Sequence, residues 1–333
     1  MVKNSPSEEL LFSVIVITKN EEKNIERCLK SIKNVFKELD FSFEIILVDS
    51  NSTDLTIQRA IDLDIKELRV VNITQSTIYS AALGRNVGSN IAMGKYLLFL
   101  DGDMKLYKDF ILEEFKLLRE EECAGIIGIR DDIILDSNNN IIKSIENKYN
   151  ITDLKITSHF GGSLLIKSKV FREMGGYKEY IYSFEEPELY IRLKSKGYKI
   201  YETPKKMIDH YDKPSKKIEK LKSLIFTKRG FGLGQVIRSS FFEKNMFYLF
   251  NHKPVAQLFV PLLMDSFSYL FLILSFINIK FLSGFIFLQL VCFIICILSF
   301  DIKKFVLSKF LLIPTIYGLF EKKKIKYSNQ VVK

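Results

Sequence analysis

The chain has 333 residues, 47% of them hydrophobic, which is enough for one large domain or two smaller ones with a sizeable core. Its formal net charge is +10, unevenly spread: residues 1–200 carry 28 Lys and Arg against 31 Asp and Glu, while residues 201–333 carry 21 against 8. The basicity lies beside the most apolar stretch of the chain, which points to an anionic membrane surface, and the lack of an aromatic-rich basic motif or finger spacing argues against nucleic acid. None of the four cysteines has metal-ligand spacing, so they read as small buried hydrophobes in a reducing compartment. Met1 to Glu9 is polar, with no apolar signal region, which leaves the N-terminal half in the cytoplasm.

Phe12 to Ile17 is a β-branched run and a first strand, followed by a loop from Thr18 to Glu22 and a helix with Ile25, Cys28, Leu29 and Ile32 on one face. Phe43 to Val48 is a second strand ending at Asp49, and the polar turn after it caps the next helix. Leu68 to Val71 is a third strand, and Ala81 to Met93 is a helix of small residues carrying Arg85 and Asn86. Tyr96 to Leu100 then runs straight into Asp101-Gly102-Asp103. The run has no polar alternation and reads as a strand buried on both faces. Its carboxylates fall at the C-terminal end, where open α/β sheets bind ligands, and suit a divalent cation carrying a phosphorylated ligand. Asp-Gly-Asp is also an ordinary turn sequence.

The β-α-β-α rhythm predicts a mostly parallel sheet. A helix follows from about Lys108 to Glu122, a strand from Ala124 to Ile129, and a turn at residues 136–140. Gly161-Gly162-Ser163 precedes another apolar run, Glu185-Glu186-Pro187 opens a helix reaching about Ser195, and Tyr198 to Ile200 begins the last strand before His210. The glutamate pair also fits an ordinary acidic first turn complementing the helix dipole. A lone histidine such as His210 is more often structural than a ligand.

From Lys213 the character changes. Lys216, Lys217, Lys220 and Lys222 interleave with Ile218, Leu221, Leu224 and Ile225, a basic amphipathic pattern suited to a membrane surface. Val255 to Ile277 and Phe281 to Phe300 are each long enough to span a bilayer, which takes about 20 residues. Asn278-Ile279-Lys280 alone separates them, so they form a hairpin. Phe305 to Phe320, with Lys309 and Pro314, reads as an interfacial or re-entrant helix, with a third span as the less favoured alternative. Lys303 and Lys304, and the run Lys322 to Lys324 with Lys326, place both ends of the hairpin in the cytoplasm. Asp265, inside the first span, is either a functional group or a hydrogen-bonding one between helices. The domain reading is residues 1–212 for the catalytic domain, 213–254 for membrane-interface helices, 255–300 for a transmembrane hairpin, and 301–333 for the interfacial helix and basic tail.

Six motifs in order give the first 210 or so residues a resemblance to the family 2 inverting nucleotide-sugar glycosyltransferases, of GT-A fold. They are the strand into Thr18-Lys19-Asn20-Glu21-Glu22, Val48-Asp49-Ser50-Asn51-Ser52-Thr53-Asp54, Gly84-Arg85-Asn86-Val87-Gly88, Asp101-Gly102-Asp103, Gly161-Gly162-Ser163, and Glu185-Glu186-Pro187-Glu188-Leu189. The resemblance implies an α/β, Rossmann-like GT-A domain followed by amphipathic and transmembrane helices. It implies a nucleotide-sugar site from Thr18, Asn20, Glu22, Asp49, Arg85 and Asp101, and a Mn²⁺ or Mg²⁺ ion on Asp103 with Asp101 and His210. It implies an acceptor side at Gly161, Gly162 and Glu185, with Glu186, beside Glu185, as the catalytic base. Lys228 and Arg229 are a candidate phosphate clamp or a membrane anchor. The chain departs from the family at Ile17, where many members have proline, at Lys19, where many have an aromatic, and at Glu186, where most have aspartate. The function implied is transfer from a UDP- or GDP-linked sugar to a lipid-linked or glycan acceptor at the cytoplasmic face of the inner membrane. The alternatives are transfer to polyprenyl phosphate, or an inactive membrane scaffold of the same fold.

Overall fold

The computed structural model describes residues 10–120, 123–157, 159–214, 217–299, 301–321 and 325–333. Lys216 and Lys322 to Lys324, used above to orient the chain, lie outside the described residues, as do the side chains of Lys217, Ile218 and Lys220. The chain packs as two units: Met1–Glu179, Lys196–Pro214 and Lys324–Lys333 in one, Tyr180–Ser195 and Ser215–Lys323 in the other.

The first unit is a mixed sheet with helices. It opens β1 (Phe12–Thr18), α1 (Ile25–Glu38), β2 (Phe43–Asp49), α2 (Thr56–Asp62), β3 (Leu68–Ser76), α3 (Ala81–Ile91), β4 (Tyr96–Asp101). The expected parallel order runs through β3-β2-β1-β4. β1 and β4 are buried along nearly their whole length, as continuous apolar runs in a parallel sheet must be. Pairing brings the strand ends level: Thr18 faces Asp49, and Ile17 faces Asp101.

Beyond β4 the sheet is mixed. β5 (Met104–Leu106), α4 (Lys108–Arg119), β6 (Cys123–Leu135), β7 (Ile141–Ile145), β8 (Lys155–Ile156), β9 (Leu164–Lys167) and α5 (Ser168–Glu173) follow in the chain. β9 lies antiparallel between β4 and β6. Gly161 and Gly162, at φ +64° and +84°, make the turn that feeds it.

After an excursion through α6 (Glu185–Ser195), the sheet is completed by β10 (Lys199–Asp212), which pairs parallel to β6 and antiparallel to β5. The second unit continues with α7 (Lys217–Phe226), a 3₁₀ turn (Lys228–Phe231), α8 (Gly232–Phe242), α9 (Met246–Phe250), α10 (Lys253–Ser275), α11 (Phe281–Ser299) and α12 (Ile302–Phe320). Its core joins Ile181 and Ile191 to Leu233 and Val236 of α8, Leu258 of α10 and Leu311 of α12.

Two boundaries differ from the sequence reading. α6 packs with the helical unit although it precedes residue 212, because Glu188 and Arg192 form a buried ion pair that Ser239 of α8 joins (Oγ to Oε1, 2.8 Å). The basic tail contains a strand, β11 (Tyr327–Val331), which covers the outer edge of β3 with Val331 opposite Val71.

α10 and α11 are long and apolar enough to cross a membrane, with mean hydropathies of 1.8 and 2.7. Most residues of each apolar stretch are not buried within the protein.

Candidate active site

The site grows from the C-terminal ends of β1, β2 and β4. Ser50 N donates to Thr18 O and Gly102 N to Ile17 O, both 2.9 Å, so the loops leave the sheet stitched together. Gly102 is needed for that closeness: a Cβ there would stand 2.8 Å from Thr18 Oγ1. A cleft of about 210 Å³ opens above, lined by Thr18, Lys19, Ser50, Tyr79, Asp101 and Asp103 among others.

Asn20 and Glu22, expected to contact the donor, are engaged with the neighbouring loop. Asn20, at φ +57°, donates its N–H to Ser52 Oγ and accepts from Thr53 N, each 2.8 Å. Glu22 N donates to Asp54 Oδ2, and its carboxylate accepts from Leu55 N, both at 3.2 Å. Neither lines the cleft. Asp49 lies beneath it, accepting from Ser52 N (2.6 Å) and Ser52 Oγ (2.5 Å). Burial pushes the Asp49 carboxyl up, against the Ser52 hydrogen bonds that lower it. The cleft's aromatic wall is Tyr79, with Lys19 Nζ 4.7 Å from its ring centre. Tyr79 was not singled out in the sequence, and it supplies from the loop before α3 the aromatic surface that Lys19 does not.

Arg85, almost fully buried, donates from Nη2 to Asp101 Oδ1 at 3.0 Å and approaches Gly162 O at 3.4 Å. Burial pushes the Asp101 carboxyl up, and Arg85 opposes that shift. A Cβ at Gly162 would lie 2.8 Å from Asp101 Oδ2, so this turn also requires glycine.

Asp103 Oδ2 lies 3.3 Å from His210 Nε2, and its Oδ1 is buried without a hydrogen-bond partner. Arg130, absent from the sequence reading, is the hub behind them. Its Nη2 lies 2.9 Å from His210 Nδ1, Nη1 donates to Gly161 O at 2.7 Å, and Nε donates to Asp132 Oδ1 at 2.7 Å. Nδ1 therefore accepts from the guanidinium, and Nε2 carries the proton toward Asp103. The sequence signal for Arg130 is its place in a charged run directly after the apolar stretch from Ala124 to Ile129, inside β6.

Among the described residues, no three or more His, Cys, Asp or Glu side chains converge into a metal cage. A carboxylate with one buried oxygen lacking a partner, beside a histidine and an open cleft, nevertheless suits Mg²⁺ or Mn²⁺. These ions bind through one or two carboxylates together with phosphate oxygens from the ligand.

The remaining expected residues belong to the helical unit. Glu185 and Glu186 open α6, and Phe184 immediately before them is held at φ +66°, a strained conformation for an aromatic residue. Lys228 and Arg229 are exposed on the 3₁₀ turn, where Arg229 O accepts from Ser183 Oγ at 2.6 Å.

Residues 13–178 match the family model described as Glycosyl transferase family 2. An uncharacterized glycosyltransferase of Methanocaldococcus jannaschii is 27% identical over 198 residues, 57% of this chain and 66% of that protein. A PGL/p-HBAD biosynthesis glycosyltransferase of Mycobacterium bovis is 31% identical over 139 residues, 39% of this chain and 49% of its own length. Among solved structures, the mannosyltransferase PcManGT from Pyrobaculum calidifontis, in complex with GDP-Man and Mn²⁺, superposes with a TM-score of 0.58 at 14% identity, covering 94% of this chain and 88% of that one. At that identity the likeness is one of fold.

Proposed function

We propose, from the match of residues 13–178 to the Glycosyl transferase family 2 model, that this chain is a membrane-anchored inverting glycosyltransferase of cell-surface glycan synthesis. It moves a sugar from a UDP- or GDP-linked donor to a lipid-linked or glycan acceptor at the cytoplasmic face of the inner membrane. The observation that carries this reading is Asp103, with one buried oxygen lacking a partner, at the edge of a cleft built on three strand ends. The relatives support the class: one is named for PGL/p-HBAD biosynthesis, and one solved neighbour holds GDP-Man and Mn²⁺.

In this reading Asp103 would hold a divalent cation that neutralises charge on the diphosphate, with the His210 Nε2–H steadying its carboxylate rather than ligating the ion. Thr18, Ser50 and Tyr79 wall the nucleoside side of the cleft, with Asp49, Asn20 and Glu22 shaping the loops beneath. Arg85 holds Asp101 in place. Glu186 takes the proton of the acceptor hydroxyl as its oxygen attacks the anomeric carbon and the nucleoside diphosphate leaves with the bonding electron pair. That assignment rests on the family motif and on the strained turn at Phe184.

The test is donor hydrolysis and transfer by the full chain in detergent, across UDP- and GDP-sugars with Mn²⁺. Asp103→Ala is expected to lower turnover by about 10²–10³-fold, the scale of losing one charge-stabilising group. Full activity in Asp103→Ala refutes the site, and failure to bind any nucleoside diphosphate favours the scaffold reading. Polyprenyl phosphate as acceptor is a second reading, favoured by Lys228 and Arg229 lying exposed beside Phe226, itself 80% exposed. An anionic acceptor needs no base, so retained turnover in Glu186→Gln selects that reading.

A further inference from the structure

Asp265 of α10 is fully buried, in a helix otherwise apolar enough to span a bilayer. It is ion-paired with Lys309 of α12. Ser308 Oγ donates to Asp265 Oδ2 at 2.5 Å, and Gln289 Nε2 of α11 donates to Oδ1 at 3.0 Å. Gln289 closes the network, donating to Ser268 Oγ at 2.6 Å and accepting from Lys309 Nζ at 2.7 Å. Three helices thus meet on one polar cluster, with both charges paired and hydrogen-bonded.

A second observation comes from the opposite face of α12. Ser308, Leu311, Thr315 and Gly318 are buried, whereas Ile302, Val306, Phe310, Ile313, Tyr317 and Phe320 recur at helical spacing and are 41–80% exposed. That stripe is continuous in character with the exposed apolar surfaces of α10 and α11.

We propose that α12 is a third membrane-embedded helix, pinned to the α10–α11 hairpin by the Asp265–Lys309 clasp, with its apolar stripe facing lipid acyl chains. This rests on the membrane reading above. Of the three lysines of α12, Lys303 and Lys304 stand at its start, and the clasp accounts for the one in mid-helix, Lys309. An isolated lysine or aspartate at the centre of a span is costly to insert. Here the two charges neutralise each other inside the helix cluster and leave lipid an apolar face. The exposed Lys303 beside the start of α12 suits an anionic headgroup layer.

The chain has no tryptophan, so single reporters are unambiguous. Ile273→Trp on α10, Ile313→Trp on α12 and Leu112→Trp on α4 are placed in the full chain. Each is reconstituted into phosphatidylcholine–phosphatidylglycerol vesicles containing acyl-chain-brominated phosphatidylcholine. The α10 and α12 reporters are expected to lose about half their emission or more, and the α4 reporter to be unaffected, because only burial among the chains brings bromine into contact.

Quenching of α10 but not α12 overturns this inference alone, and quenching of neither overturns the membrane reading. An α12 reporter shielded from both brominated lipid and aqueous acrylamide overturns it in favour of a second copy covering the stripe. Lys309→Ala is expected to reduce the α12 signal to the α4 level. The swapped pair Asp265→Lys with Lys309→Asp is expected to restore it, even where the single variant folds poorly. Unchanged quenching in Lys309→Ala, or no rescue by the swap, refutes the clasp.

Discussion

Arg85→Met removes a buried charge while keeping an unbranched apolar stem. Arg85 is 3% exposed and Asp101 31% exposed, so water reaches only the carboxylate side of the pair. Breaking a fully buried ion pair costs about 3–5 kcal/mol, and a hydrogen bond to a charged group is worth about 1.5–3 kcal/mol. The half-open setting of Asp101 selects the lower range, equivalent to about 10–100-fold in a binding constant. Nucleoside diphosphate affinity, measured by titration calorimetry with Mn²⁺ present, should fall by that factor.

The loss should also depend on pH. Burial raises the Asp101 carboxyl and Arg85 pulls it down, so without Arg85 the carboxylate persists only at higher pH. The deficit is therefore expected to be larger in mildly acidic than in mildly alkaline buffer. Arg85→Lys, which keeps the charge without the fork reaching both Asp101 and Gly162 O, should fall between. Affinity within about twofold of the parent for Arg85→Met, at every pH and with the fold intact, would refute the role of this pair.

Gly162→Ala is expected to cut donor turnover by more than about tenfold, since its Cβ would stand 2.8 Å from Asp101 Oδ2 at φ +84°. Gly175→Ala is the control, sharing a positive φ (+70°) with nothing within 4 Å, and should leave turnover unchanged. Arg130→Gln, which releases both His210 and Gly161 O, should weaken Mn²⁺ dependence by about 10–100-fold, as loss of a ligand's supporting partner typically does. Glu188→Gln removes the carboxylate from the buried Glu188–Arg192 pair and should destabilise the helical unit by about 3–5 kcal/mol. Thermal unfolding in detergent reads this loss, and Glu188→Met with Arg192→Met should recover most of it.

The parallel core was legible because strands buried on both faces cannot alternate. β1, β2 and β4 stand out through the apolar runs from Val14 to Ile17, Ile45 to Val48 and Leu97 to Leu100, and each ends on the residue its neighbours need: Thr18, Asp49 and Asp101. β11 was not legible. All five of its residues are exposed and none makes an apolar pattern, so its pairing depends on the free edge of β3, more than 250 residues earlier in the chain. β10 was seen only at its start, because its register shifts between Glu202 and Lys206 break any periodicity. At the site, polar residues in a loop look alike whether they face a ligand or another loop, and Asn20 and Glu22 face the loop. Arg130 and Tyr79 escaped notice for a related reason: their partners come from elements far away in sequence, Gly161 and His210 for one and Lys19 for the other.

The division of the chain bears on how the chemistry can be taken apart. The cleft, Arg85, Asp101 and Asp103 belong wholly to the sheet unit. The proposed base, Glu186, opens a helix whose next turn is tied through Glu188 to Ser239 and packed through Ile191 into the core of the helical unit. A backbone strained at Phe184 holds its place only if that packing over-determines it. Loosening the helical unit should therefore relax Glu186 before it disturbs the nucleotide cleft. At a temperature where Glu188→Gln is still folded, its nucleoside diphosphate affinity should match the parent while transfer to a hydroxyl acceptor falls. Loss of affinity and turnover in the same proportion would show that the base is held by the sheet unit, and that the glutamate assigned to α6 is the wrong one.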